Sequence, residues 1–115
     1  MAINPQDILV VTTENVPGYR VVQVLGDVFG ATSRSRHMFS TMGAGFKSIV
    51  GGELIAFTKL IEETRLEALG RLRVNAANRG ANAVVMMRFD TESIATTAGG
   101  VVAYGTAVVL ERIPS

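Results

Sequence analysis

The residues best suited to chemistry lie between Arg34 and Glu53. His37 is the only histidine. Met38 and Met42 lie one helical turn apart beside it, a set that suits a soft copper ion. Methionines at that spacing also serve as core filler. Arg34 and Arg36 flank Ser35, and two guanidinium groups around a hydroxyl can hold an anionic group. Gly51, Gly52 and Glu53 precede a helical pattern, where exposed backbone N–H groups favour anions. The plainer reading of these polar patches is a loop salt bridge to Glu53 and an ordinary helix start. The ligand-binding candidates are therefore Arg34, Ser35, Arg36, Gly52 and Glu53. The metal candidates are His37, Met38 and Met42.

Other chemistries are excluded or poorly supported. The chain has no cysteine, so disulfides, thiolate metal sites and cysteine nucleophiles are absent. No second histidine gives a classical zinc pair. A Ser/His/Asp arrangement would have to use His37 with Ser35 or Ser40, and no Gly-x-Ser-x-Gly elbow exists. Gly43-Ala44-Gly45-Phe46-Lys47-Ser48 resembles a nucleotide loop but has Phe46 where a P-loop needs glycine, and Ser48 where a dinucleotide fingerprint wants glycine or alanine. Carboxylates at Glu14, Asp27, Glu53, Asp90 and Glu92 converge only through the fold or across subunits. No catalytic residues are assigned, and a non-enzymatic protein is expected.

Composition narrows the setting. The 115 residues fit one domain, 1–115, and 48% are hydrophobic, which argues against disorder. The formal net charge of +1 gives no concentrated basic footprint for nucleic acid. Met1 to Asp7 lack the basic and apolar regions of a signal peptide. The apolar runs are too short and broken to span a bilayer. A soluble, cytoplasmic protein is expected, with partners other than nucleic acid or membrane.

The elements that must position these residues follow from periodicity. Ile8 to Thr12 reads as a strand, and Asn15-Val16-Pro17-Gly18 as a turn. Tyr19 to Phe29 reads as a second strand, completing a hairpin, with Gly26 and Gly30 marking a bulge or close backbone approach. Ala31 to Gly52 reads as a short or interrupted helix, because Met38, Met42, Phe46, Ile49 and Val50 recur at helical spacing while Gly43 and Gly45 break it. Leu54 to Asn78 is the main helix, with Leu54, Phe57, Ile61, Thr64, Ala68 and Leu72 on one stripe. Lys59–Glu63 and Glu67–Arg71 are spaced to pair, and Arg79-Gly80 stops the helix. Ala83 to Asp90 and Val101 to Arg112 are strands joined across residues 96–100. The order β-β-α-β-β predicts an α+β fold, an antiparallel sheet packed on one long helix plus the interrupted segment.

The sheet has two apolar faces. Val85, Met87 and Phe89 share one face, with Val84 and Met86 on the other. Val102, Tyr104, Val108 and Leu110 alternate with Val101, Ala103, Gly105, Ala107 and Val109. A solvated face would alternate with polar residues. One helix covers one face, so the other needs either the Met38–Val50 segment or a second subunit.

An ordered set of residues is similar to the YbjQ-like family (UPF0145), a group of uncharacterised function also labelled heavy-metal-binding. It begins with Thr12-Thr13-Glu14-Asn15-Val16-Pro17-Gly18-Tyr19 and runs through Gly26, Gly30, Thr32, Arg34, Ser35 and Arg36. Gly43-Ala44-Gly45, Val50-Gly51-Gly52-Glu53 and Thr58 follow, then Arg65, Glu67, Ala68 and Leu69. Gly80-Ala81-Asn82-Ala83-Val84-Val85, Arg88-Phe89-Asp90 and Ala103-Tyr104-Gly105-Thr106-Ala107-Val108 complete it. The resemblance implies a dodecin-like subunit assembled as a homopentameric ring, with a metal ion as possible cofactor. Phe57 stands where tyrosine is common and Asn82 where aspartate is common. Any binding by those polar groups elsewhere in the family is missing here.

Overall fold

The computed structural model describes residues 3–35, 52–95 and 98–114. A 3₁₀ turn, Pro5–Asp7, is capped by the Asn4 side chain, which accepts from Gln6 N at 3.0 Å. Strand β1 (Leu9–Val10) and strand β2 (Tyr19–Ser35) follow. Helix α1 (Gly52–Asn78) leads to β3 (Ala83–Ala95) and β4 (Ala98–Arg112). The α+β class and the single long helix agree with expectation.

The strand pairing does not. The sheet order is β1-β3-β4-β2. β1 pairs with β3 in parallel, and β2 pairs with β4 antiparallel along its whole length. The sheet is therefore mixed, and the expected β1–β2 hairpin is absent. The turn that suggested it is real: Tyr19 N–H donates to Val16 O at 3.1 Å, with Gly18 at φ 84°. That is a Pro-Gly turn of the type that needs positive φ at its third residue. It redirects the chain across the sheet instead of back beside β1. The β3–β4 hairpin forms as expected. β2 continues to Ser35, six residues past the expected end at Phe29, so residues 31–35 are strand and not helix. The rest of the expected interrupted helix lies outside the described residues.

Helix α1 ends as its sequence predicts. Ala81 N–H donates to Ala76 O at 3.1 Å and Gly80 N–H to Ala77 O at 3.0 Å, with Gly80 at φ 84°. This is the Schellman arrangement. Its buried stripe is Thr64, Ala68, Leu72 and Ala76, mostly small residues. Thr64 satisfies its hydroxyl on Leu60 O at 2.8 Å. Of the two expected ion pairs, Glu67–Arg71 closes at 2.9 Å.

Small residues bring helix and sheet together. Ala68, Leu72 and Ala76 pack on Val28, Val84, Met87, Ala103 and Ala107. A Cβ at Gly30 would overlap Leu72 N and Ala68 O and stand 2.7 Å from Arg71 C. No larger residue fits there without moving the helix.

The described residues cover the second sheet face only in part. Ala83, Val85, Val108 and Leu110 form a smaller cluster beneath Val11 and Val16. The segment after β1 thus caps one end, an occupant that periodicity did not reveal. Strict alternation also fails in β3. The register shifts between Val85 and Arg88, and Met86 adopts φ 57°. This bulge puts Val84 and Met87 together on the helix side and Val85 on the other. Left-handed φ is uncommon for a side chain of this kind, and nothing in the residue type announces it.

Candidate functional site

The expected site residues fall into three groups. Arg34 and Ser35 are the last residues of β2, in register with Gly99 and Ala98. Gly52 and Glu53 open α1. Arg36, His37, Met38 and Met42 lie outside the described residues, and the copper-suited set with them.

The two described groups are not level with each other. α1 runs opposite to β2, because Arg79 reaches Asp27, Asn75 reaches Phe29 and Arg71 reaches Ala31. Thr32 Oγ1 donates to Glu67 Oε1 at 3.1 Å, which fixes a common height. From Glu67 back to Gly52 the helix rises about 22 Å, while from Thr32 on to Ser35 the strand rises about 10 Å. The first turns of α1 therefore overhang the sheet by about 12 Å.

The overhang accounts for the exposure of Ile55 but not for that of Leu66 and Ile61, which lie level with the sheet. Ile55 and Leu66 are 69% and 65% exposed, and Ile61 is 39% exposed. Ile55, Thr58, Lys59 and Glu62 line an open depression of about 480 Å³ on this part of the helix. Lys59 and Glu62 give it one charge of each sign.

A second patch lies on the open sheet face. Phe29 stands opposite Tyr104, and Tyr104 opposite Arg88. Phe29 is 55% and Tyr104 43% exposed. The next row contains Ala31, Val102 and Asp90, and the preceding one Asp27 and Thr106. Arg88 is held by its own surroundings, donating from Nη1 to Thr12 O at 2.9 Å and to Met87 O at 2.8 Å. An aromatic pair framed by charged residues is the composition of a protein contact surface.

A third feature shows in the sequence only as a spacing of four, Arg71, Asn75 and Arg79. Arg71 Nη1 donates to Ala31 O at 2.6 Å, Asn75 Nδ2 to Phe29 O at 2.7 Å, and Arg79 Nη1 to Asp27 O at 2.5 Å. One face of α1 thus satisfies alternate carbonyls along the outer edge of β2. Arg73 Nε is buried and has no hydrogen-bond partner among the described residues.

Among the described residues, no group of three or more histidines or carboxylates is placed to hold a metal ion. No helix among them is long and apolar enough to cross a membrane.

This arrangement, a mixed four-stranded sheet with one long helix on one face, defines an α+β protein of a kind seen in a solved structure. A protein of unknown function from Pediococcus pentosaceus, assigned to the DUF74 family, superposes with a TM-score of 0.59 at 16% identity, covering 90% of this chain and 98% of that one. At the level of sequence, residues 8–111 match the YbjQ family model described as "Putative heavy-metal-binding". A UPF0145 protein of Streptomyces griseus is 56% identical over 107 residues, 93% of this chain and 88% of that protein. A UPF0145 protein of Lactobacillus johnsonii is 55% identical over 103 residues, 90% of this chain and 94% of that one. The chain belongs to the YbjQ/UPF0145 family.

Proposed function

We propose that this chain is a non-enzymatic subunit of a homo-oligomer, a dodecin-like pentameric ring, that binds a heavy-metal ion or small ligand where subunits meet. The observation that carries this reading is the uncovered apolar surface. Ile55 on the overhanging turns, Leu66 further along the helix, and Phe29 with Tyr104 on the open face all lack a cover among the described residues. Large exposed apolar patches mark association sites. Shape supports the same reading. The radius of gyration is 17.3 Å, against about 13 Å for a compact chain near this length. An elongated subunit buries little surface alone and gains it by assembly.

The family description supports a metal as the ligand. Native mass spectrometry should give a single discrete oligomer, and calorimetry on that oligomer saturable uptake of copper or zinc. A monomer at micromolar concentration ends the assembly reading. An intact oligomer with flat titrations instead favours a structural or interaction protein without a small ligand.

A further inference from the structure

The sheet has two outer strands, β1 and β2, and the described residues close each edge over only part of its length. On β2, the carbonyls of Leu25, Asp27, Phe29 and Ala31 are taken by Arg79, Asn75 and Arg71. Before Leu25, no helix side chain among the described residues reaches the strand. Val21, Val22 and Val24 are exposed there at 44%, 43% and 65%. On the other side, β1 pairs only with Ala83 and Val84 of β3. The segment after it reaches Met86 and Met87 through Thr13 O and Val11 O. From Phe89 onward, no described strand lies outside β3. Thr91 N–H faces that open side, where it donates to the adjacent Asp90 Oδ1 at 2.9 Å.

These open stretches lie at diagonally opposite corners of the sheet. Residues 19–21 of β2 pair with the Leu110–Arg112 end of β4, and Asp90 and Thr91 of β3 with Val102 and Val101. The corners differ in charge. Arg112 sits 5.9 Å over the Tyr19 ring at the first, and Arg20 stands there opposite Glu111. On the open face Asp90 marks the second, with Arg88 tied back to Thr12 O, while Arg65 stands 5.3 Å over the Phe89 ring on the helix side.

We propose that the two open edges pair with each other between copies of this chain, residues 19–24 of one against residues 89–92 of the next, head to tail. The proposal rests on the homo-oligomeric reading above and names its interface. An unpaired edge with exposed valines is a ready template for another strand. Pairing β2 with its own copy would gather Arg20 and Arg112 of both copies at one seam and leave β3 open. Head-to-tail pairing sets Arg112 near Asp90 and closes both edges. Such contacts are heterologous, and they close into a ring when the rotation between copies permits.

Proline tests this because it removes the N–H donor that an added strand needs. Val22 falls in a register shift of β2, without a partner on β4, and Thr91 N–H, four residues after the outward-facing Met87 N–H, points away from β4 by strand alternation and donates to Asp90 Oδ1. Val22→Pro and Thr91→Pro are therefore tolerated by the isolated subunit. Each variant, shown folded by circular dichroism, should run as a monomer in native mass spectrometry of the full chain. Mixed, they should form a heterodimer, because each retains the edge that the other lacks. Wild-type oligomer size in Val22→Pro overturns the interface while leaving the assembly reading intact. A monomeric Val22→Pro beside an unaffected Thr91→Pro overturns the head-to-tail geometry. A monomeric wild type overturns both readings. Should a proline variant unfold, charge reversal decides. Arg112→Glu should weaken self-association about five-fold and adding Asp90→Arg should restore it; no change in either overturns the pairing.

Discussion

Asn82 shows how much one amide can fix. Its Oδ1 accepts from Leu110 N at 2.7 Å and its Nδ2 donates to Leu110 O at 2.9 Å. The side chain thus imitates a strand neighbour at the point where α1 hands over to β3. Asparagine offers both a donor and an acceptor, and aspartate offers only acceptors when ionised. Asn82→Asp keeps the shape but turns one bond into a repulsion between carboxylate and carbonyl. It should destabilise the fold by about 1 kcal/mol, seen as a lower urea midpoint at unchanged slope. Asn82 is thus bonded within its own fold. Gly30 is comparable in kind. Its missing Cβ is what lets Leu72 and the backbone of α1 lie against β2.

At the scale of elements, the polar row Arg71, Asn75, Arg79 joins α1 to the β2 edge. Asn75→Ala leaves Phe29 O unpaired by the helix. With water able to reach this exposed position, the loss should be about 1 kcal/mol. Amide exchange should show whether the middle of β2 loses protection while β3 keeps it. Much of the element order was legible in the sequence. Apolar periodicity located the helix and strands, and Pro17-Gly18 and Arg79-Gly80 act through backbone preferences that residue type reveals. The pairing partners of β1 and β2 were not legible, because a tight turn does not say which edge the chain joins next. The Met86 bulge was hidden for a different reason. Methionine carries no preference for positive φ, so the geometry comes from the contacts of Met86 N with Thr13 O and Met87 N with Val11 O. The candidate site was least legible. Arg34, Ser35, Gly52 and Glu53 were near in an outline of the chain, but a helix that begins about 12 Å beyond the sheet sets its first residues apart from the end of β2.

At the scale of the whole molecule, the pairing of Tyr19 with Arg112 joins residues from near opposite ends of the sequence. The β3–β4 hairpin and α1 are built from neighbours in sequence, whereas β2 closes the longest loop. Loop closure is paid in chain entropy before any contact rewards it, and non-local pairing slows folding. Pulse-labelling hydrogen exchange during refolding should show β3 and β4 amides protected before those of residues 19–24; simultaneous protection would contradict this order. The open edge of β2 is then both the last part of the subunit to form and the part offered to a neighbour. Assembly therefore competes with completion. At high subunit concentration a half-folded chain, with β4 still bare, meets another chain's β2 before its own arrives, so strand exchange between subunits is the characteristic error this topology must outrun.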